Sequence, residues 1–288
     1  MEKAILKTSA YADIFDYPLK PYEIHKWLIS KKATTHQVEK AIKRLEGRLK
    51  VKSKDGYIFL PGRQSIVKKR INREKQSQKY LFRAKIIAFV FKIIPWIKLV
   101  GVSGSLAVEN AQKDSDIDLF IITSYKRMWL SRMLTIWITD FLGIRREREN
   151  KQDEVLGKVC LNLYIDQNNL EQENKDLYTA HEVLQMRVLW QRENTYKKFL
   201  DVNSWVFEFL PNWATGQIRS EKLVVKPKPH ILTSTLDFLE RIAGRIQRKY
   251  MGKPTGAERI SDKALFFHPE DCRLETLEKF KRKTRLIF

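Results

Sequence analysis

The chain has 288 residues, 43% of them hydrophobic, which is enough for a buried core and excludes a disordered or collagen-like polypeptide. It carries 55 Lys and Arg against 34 Asp and Glu, a formal charge of +21, and so points to a polyanionic partner, nucleic acid first and an anionic membrane surface second. Its two cysteines, Cys160 and Cys272, lack the spacing of a disulfide framework or a zinc site. The first residues show no signal-peptide pattern. The apolar stretch 86–102 is broken by Lys92, Pro95 and Lys98, and the apolar stretch 129–142 is short and carries Arg132 and Asp140, so no membrane span is expected, and no membrane is expected among the partners. A cytoplasmic, reducing setting is the expectation.

In chain order, Ile5, Leu6, Tyr11, Ile14 and Phe15 recur at helical spacing, and Tyr17-Pro18 ends that helix. A second short helix is predicted over 21–29, with Ile24, Trp27 and Leu28 inward. Thr34 or Thr35 caps a third, running to Leu45 with Val38, Ala41, Ile42 and Leu45 on one face. Residues 49–60 read as two strands around the Asp55-Gly56 turn. Three helices and a hairpin resemble a winged helix-turn-helix domain. That resemblance makes the third helix the recognition helix and the hairpin the wing. Its exposed candidates for phosphate or base contact are His36, Gln37, Lys40, Lys43, Arg44, Lys52 and Lys54. Winged helices also serve as protein-interaction modules, so a partner protein stays open. Residues 64–94 then read as one long, strongly basic helix linking this unit to the next.

Residues 100–123 read as strand, tight turn, short helix over 106–111, and strand. In the second strand Asp116, Asp118 and Phe120 share one face and Ile117, Leu119 and Ile121 the other. Two carboxylates two residues apart on a strand repel unless a cation lies between them, and hard oxygen donors suit Mg²⁺ or Mn²⁺. Gly104-Ser105 lets backbone approach a ligand, and the helix start offers free N–H groups to phosphate. The run from Val102 through Gly104-Ser105, a spacer, and Asp116-Ile117-Asp118-Leu119-Phe120 resembles the signature of the nucleotidyltransferase superfamily, whose fold is that of DNA polymerase beta. Ser115 to Leu119, Ser-Asp-Ile-Asp-Leu, resembles its minimal members most closely. The resemblance implies transfer of a nucleoside monophosphate from an NTP, ATP first, to an acceptor hydroxyl. It assigns Asp116 and Asp118 to metal and Gly104, Ser105 and Ser115 to the nucleotide.

A helix over 126–142 brings Trp129, Met133, Ile136, Trp137 and Phe141 to a core, and a polar excursion with Arg145, Arg146 and Arg148 follows. The strand 158–166 alternates Cys160, Asn162, Tyr164 and Asp166 against Val159, Leu161, Leu163 and Ile165. The resembled fold places a third metal-binding carboxylate on such a strand. Asn162 stands at that position here, a departure, with Asp166 as the alternative ligand. The stretch 177–192 reads as one amphipathic helix, on which Glu182, or His181, is the candidate general base. Trp205, Phe207, Phe209 and Trp213 are expected in a core. A basic linker over 221–230, a helix over 232–250 ended by 252–255, and a tail with His268, Asp271 and a basic helix over 274–285 complete the chain.

The expected class is α+β: a winged-helix-like domain at 1–62, a linking helix at 63–94, a nucleotidyltransferase core at 95–170 and a helical region at 171–288. Nucleic acid, tRNA or DNA, is the first acceptor class. The alternative is a non-catalytic nucleic-acid-binding regulator, or a toxin–antitoxin component, that uses the same fold as a nucleotide sensor.

Overall fold

The computed structural model describes residues 1–146, 156–213, 234–251, 256, 258–267 and 272–288. Arg148, the linker at 221–230, the helix end at 252–255, His268 and Asp271 lie outside the described residues. The protein is α+β, with a mixed six-stranded sheet carrying helices on both faces.

The N-terminal unit has its own core. Helix α1 (Glu2–Asp13), α2 (Pro21–Lys26) and α3 (Thr35–Gly47) bury Ile5, Ile24, Leu28, Val38, Ile42 and Leu45 together. Thr34 caps α3: its hydroxyl accepts from the Gln37 amide at 3.3 Å, and the Gln37 side chain accepts from the Thr34 amide at 3.0 Å. Strands β1 (Lys52–Lys54) and β2 (Tyr57–Phe59) pair around Asp55 and Gly56, whose φ values of 53° and 79° are those of a two-residue hairpin turn. Helix α2 stops three residues short of the predicted Ile29, yet Trp27, Leu28 and Ile29 remain buried. Lys40, Lys43, Arg44 and Lys52 all face solvent.

Helix α4 (Ser65–Phe91) carries the chain to the sheet. Strand β3 (Ile97–Val102), the single-turn helix α5 (Gly104–Ala107) and β4 (Ile117–Thr123) follow, then α6 (Met128–Phe141) and β5 (Val159–Asp166). Beyond them come α7 (Leu177–Gln185), β6 (Arg187–Gln191), α8 (Thr195–Val202), α9 (Val206–Phe209), α10 (Ser234–Met251), β7 (Arg259–Ile260), β8 (Ala264–Phe266) and α11 (Cys272–Ile287). The strand order is β6-β3-β4-β5-β8-β7, with β4 and β5 parallel and the other pairs antiparallel. One face packs on α4, α6 and α10 through Phe91, Ile117, Leu119, Ile121, Trp129 and Tyr164. The other packs Phe120, Ile122 and Ile165 on α7, α8 and α9. Among the described residues, no helix is long and apolar enough to cross a membrane.

Two expectations change. The predicted helix over 177–192 ends at Gln185. Met186 turns to extended backbone, and Arg187–Gln191 pairs with β3 as an edge strand. The β-branched and aromatic side chains of Val188 and Trp190 suit a strand, and the open hydrogen-bonding edge of β3 outweighs helical periodicity. Likewise, 171–288 is not a helical region apart: β6, β7 and β8 from it are half of the sheet.

The N-terminal unit is bound to the sheet domain. Ser30 donates its amide to the Phe209 carbonyl at 2.7 Å, and Asn212 bridges the Ala33 amide and the His25 carbonyl. Helix α11 returns to α1, where Lys283 pairs with Asp13, Phe280 meets the edge of Tyr11 and Ile287 packs on the N-terminal core. The tightest joint is Arg70 on α4, whose side chain is 4% exposed. Its guanidinium reaches Glu23 at 3.1 Å, Glu74 at 2.8 Å and the Val108 carbonyl at 3.2 Å, and lies 3.6 Å from the centre of the Tyr17 ring. Replacing Arg70 by Ala strands the buried Glu23 carboxylate and is expected to cost about 3–5 kcal/mol in urea unfolding. A loss below about 1 kcal/mol would show the joint to be incidental.

Candidate active site

Asp118 projects from β4, and Asp116 stands one residue before that strand, on the same side. The parallel register sets Cys160 of β5 against Asp118. Ligand atoms of Asp116, Asp118 and Cys160 lie within 4.8 Å of one another. Gly104 closes this corner from the β3 side: its φ is +60°, and a β-carbon there would sit 3.4 Å from Asp118 Oδ2. Glycine adopts that left-handed backbone without strain, and a β-carbon there would be in van der Waals contact with the carboxylate.

The expected third position does not hold. Asp118 pairs with Cys160, but Phe120 pairs with Leu163, so β5 carries one extra residue between them. The bulge inverts the alternation: Leu163 and Ile165 then share the face of Asp118 and Phe120, while Tyr164 enters the opposite core. Asn162 falls at the bulge, where its carbonyl accepts from the Phe267 amide, and Cys160 rather than Asn162 stands opposite Asp118. Asp166 is buried away from the pair and accepts from the Lys126 and Asn168 amides at 2.8 Å each, a turn-holding role. Ser115 accepts from the Gln112 amide at 3.0 Å and holds its own turn rather than the cleft wall. The predicted helix over 106–111 is a single turn that begins at Gly104.

Two charged side chains complete the corner. The excursion after α6 is not simply exposed: the Arg146 amide bonds the Val159 carbonyl, and its guanidinium pairs with Asp116. Glu182 comes from α7, a helix capped by Asp176, whose Oδ1 accepts from the Thr179 amide at 2.9 Å. Burial, then the charge of Asp116, push the Asp118 carboxyl up to about 7; Glu182 adds to that rise and Arg146 opposes it. Burial lifts Glu182 to about 7 as well. Burial and both aspartates push the Cys160 thiol up, so it stays protonated beside them. The third carboxylate acting on Asp118 therefore comes from a helix across the cleft.

Gly104, Ser105, Asp118 and Glu182 line one cleft of about 1170 Å³ between the sheet and the N-terminal unit. Tyr11, Phe15 and Trp27 form its far wall, a contribution that helical spacing alone reads only as core. His181, the alternative candidate base, lines the same cleft. It is buried, with its ring stacked on Tyr11 at 4.2 Å, and its Nδ1 faces the Gln185 amide nitrogen at 3.1 Å. Comparisons with protein-family models, curated proteins and solved structures return no match.

Burial pushes His181 from 6.5 down to about 3. The folded state therefore disfavours the proton that the unfolded chain takes up. Stability held above pH 6.5 is lost as pH falls from there towards 3. The loss is on the order of several kcal/mol for the whole window. In urea unfolding across that range, His181→Phe is expected to flatten the decline; an unchanged slope would assign it to other groups.

Proposed function

We propose that the protein is a metal-dependent nucleotidyltransferase that moves a nucleoside monophosphate from an NTP to an acceptor hydroxyl. The observation that carries the reading is the convergence of Asp116 on Asp118, which with the positive-φ Gly104 lines a deep cleft. The two carboxylates fit a hard divalent cation; the Cys160 thiol is a soft donor and fits it poorly. Held by Asp116 and Asp118, Mg²⁺ or Mn²⁺ would neutralise phosphate charge and acidify the attacking hydroxyl. Gly104 and the exposed Ser105 offer close backbone approach and a hydroxyl to the phosphates. Glu182, raised to about 7, is poised to take the proton of the attacking hydroxyl near neutral pH. Among the described residues, Arg146 supplies the positive charge paired with Asp116. Lys40, Lys43, Arg44 and Lys52 face solvent on a winged-helix-like unit, which supports nucleic acid as the acceptor class.

One observation favours a second reading. Arg146 already balances Asp116, and Cys160 stands where a third carboxylate would be. That suits a nucleotide-sensing regulator without turnover, including one that works with a partner protein.

Incubation with each α-labelled NTP, Mg²⁺ or Mn²⁺, and cellular RNA, DNA or protein separates the two. The wild type is expected to label one fraction, and Asp116→Asn/Asp118→Asn to lose at least about a hundredfold. Nucleotide binding without label in any fraction would favour the sensor. In the same assay Gly104→Ala is expected to lose about tenfold or more, because a side chain at its positive φ strains the backbone that approaches Asp118.

A further inference from the structure

The helical layer opposite the cleft displays more apolar surface than its packing uses. On α4, Phe82, Ile86 and Phe89 follow at intervals of four and three residues, which sets them on one line along the helix, and Ile93 continues that spacing in the turn just after it. All four face solvent, Phe89 at 70% and Ile93 at 72% exposure. Helix α6 extends the surface with Trp137 and with Phe141 at 91% exposure, and shares with Val90 of α4 a shallow groove lined only by apolar residues. Contiguous apolar surface of this kind marks a contact site.

The charges around it choose the occupant. On helical spacing, Lys79 and Arg83 flank one side of the line and Lys85 and Lys92 the other, and all four are exposed. Residues 75–98 contain six Lys or Arg and no Asp or Glu. Asp140, the acid of α6, is paired with Arg145. A second copy would set these cations against their like. Nucleic acid bases stack on aromatic rings but gain little from Ile86 and Ile93. Headgroup phosphates over acyl chains satisfy both the cationic flanks and the aliphatic line.

We propose that this face seats the protein on an anionic lipid surface, with Phe89, Ile93, Trp137 and Phe141 at the headgroup boundary and the flanking Lys and Arg on the phosphates. The attachment is peripheral, since no described helix can cross a bilayer. The cleft lies against Phe120, Leu163 and Ile165 on the other face of the sheet, so a seated protein keeps it open.

The test is co-sedimentation of the full chain with phosphatidylcholine vesicles with and without phosphatidylglycerol, at low and high salt. Wild type, Phe89→Ser/Phe141→Ser and Lys40→Gln/Lys43→Gln are compared, with far-UV circular dichroism to confirm folding. The wild type is expected to bind only vesicles with phosphatidylglycerol and to keep part of that binding at high salt. The serine pair is expected to weaken binding by about tenfold or more, and the lysine pair, on a distant helix, by no more than about threefold. No binding by the wild type, or equal binding to both vesicles, overturns the proposal. So does binding that both pairs weaken alike, which is net charge alone. A wild-type dimer, or RNA binding, that the serine pair abolishes while vesicle binding persists also overturns it.

Discussion

The arrangement of the molecule depends on one buried cation. Arg70 is wedged where the N-terminal unit, the long helix and the loop after α5 meet, and it bonds to all three. The Tyr17 hydroxyl shares two of its partners, Glu23 and the Val108 carbonyl. A guanidinium taken out of water needs partners for its donors, and here Nε, Nη1 and Nη2 bond respectively to Glu74 on the same helix, the Val108 carbonyl and Glu23. The node therefore sets angle as well as adhesion. Tyr11, Phe15 and Trp27 of the N-terminal unit line the same cleft as Asp118.

Around Asp118, at the wall of the cleft, the constraint is electrostatic. Asp116, Asp118 and Glu182 are brought towards one another, and Arg146 is the nearby cation. Two of the three carboxyls are held near 7 mainly by their burial. Such a corner is unfavourable to assemble and responsive to anything positive that enters it. The surrounding backbone departs from regular structure in two places, a left-handed glycine at the start of α5 and a bulge in β5.

Much of this was legible in the residues. The Thr34 cap, the Asp55-Gly56 hairpin and the strand bearing Asp118 announce themselves because their causes lie within a few residues. Arg187–Gln191 did not, because its strand character comes from the exposed edge of β3. The bulge in β5 was equally hidden: alternation alone assigns Asn162 the central place, and only pairing with β4 shows the extra residue. Trp137 and Phe141 read as core since α6 is apolar on most of its circumference, and such a helix does not declare which side it will bury. Arg146 lay in a run of polar residues that resembles any solvated loop until its amide is seen on Val159.

The return of α11 to α1 has a consequence for how the protein is made. Lys283 and Asp13 are separated by 270 positions, and Tyr11 and Ile5 lie in or beside the surface that α11 covers. At a synthesis rate of about 5–20 residues per second, that surface waits on the order of tens of seconds for its cover. A nascent N-terminal unit must therefore persist unfinished while the sheet domain emerges behind it. Its contacts with α11 form only after the strands and helices between them have left the ribosome.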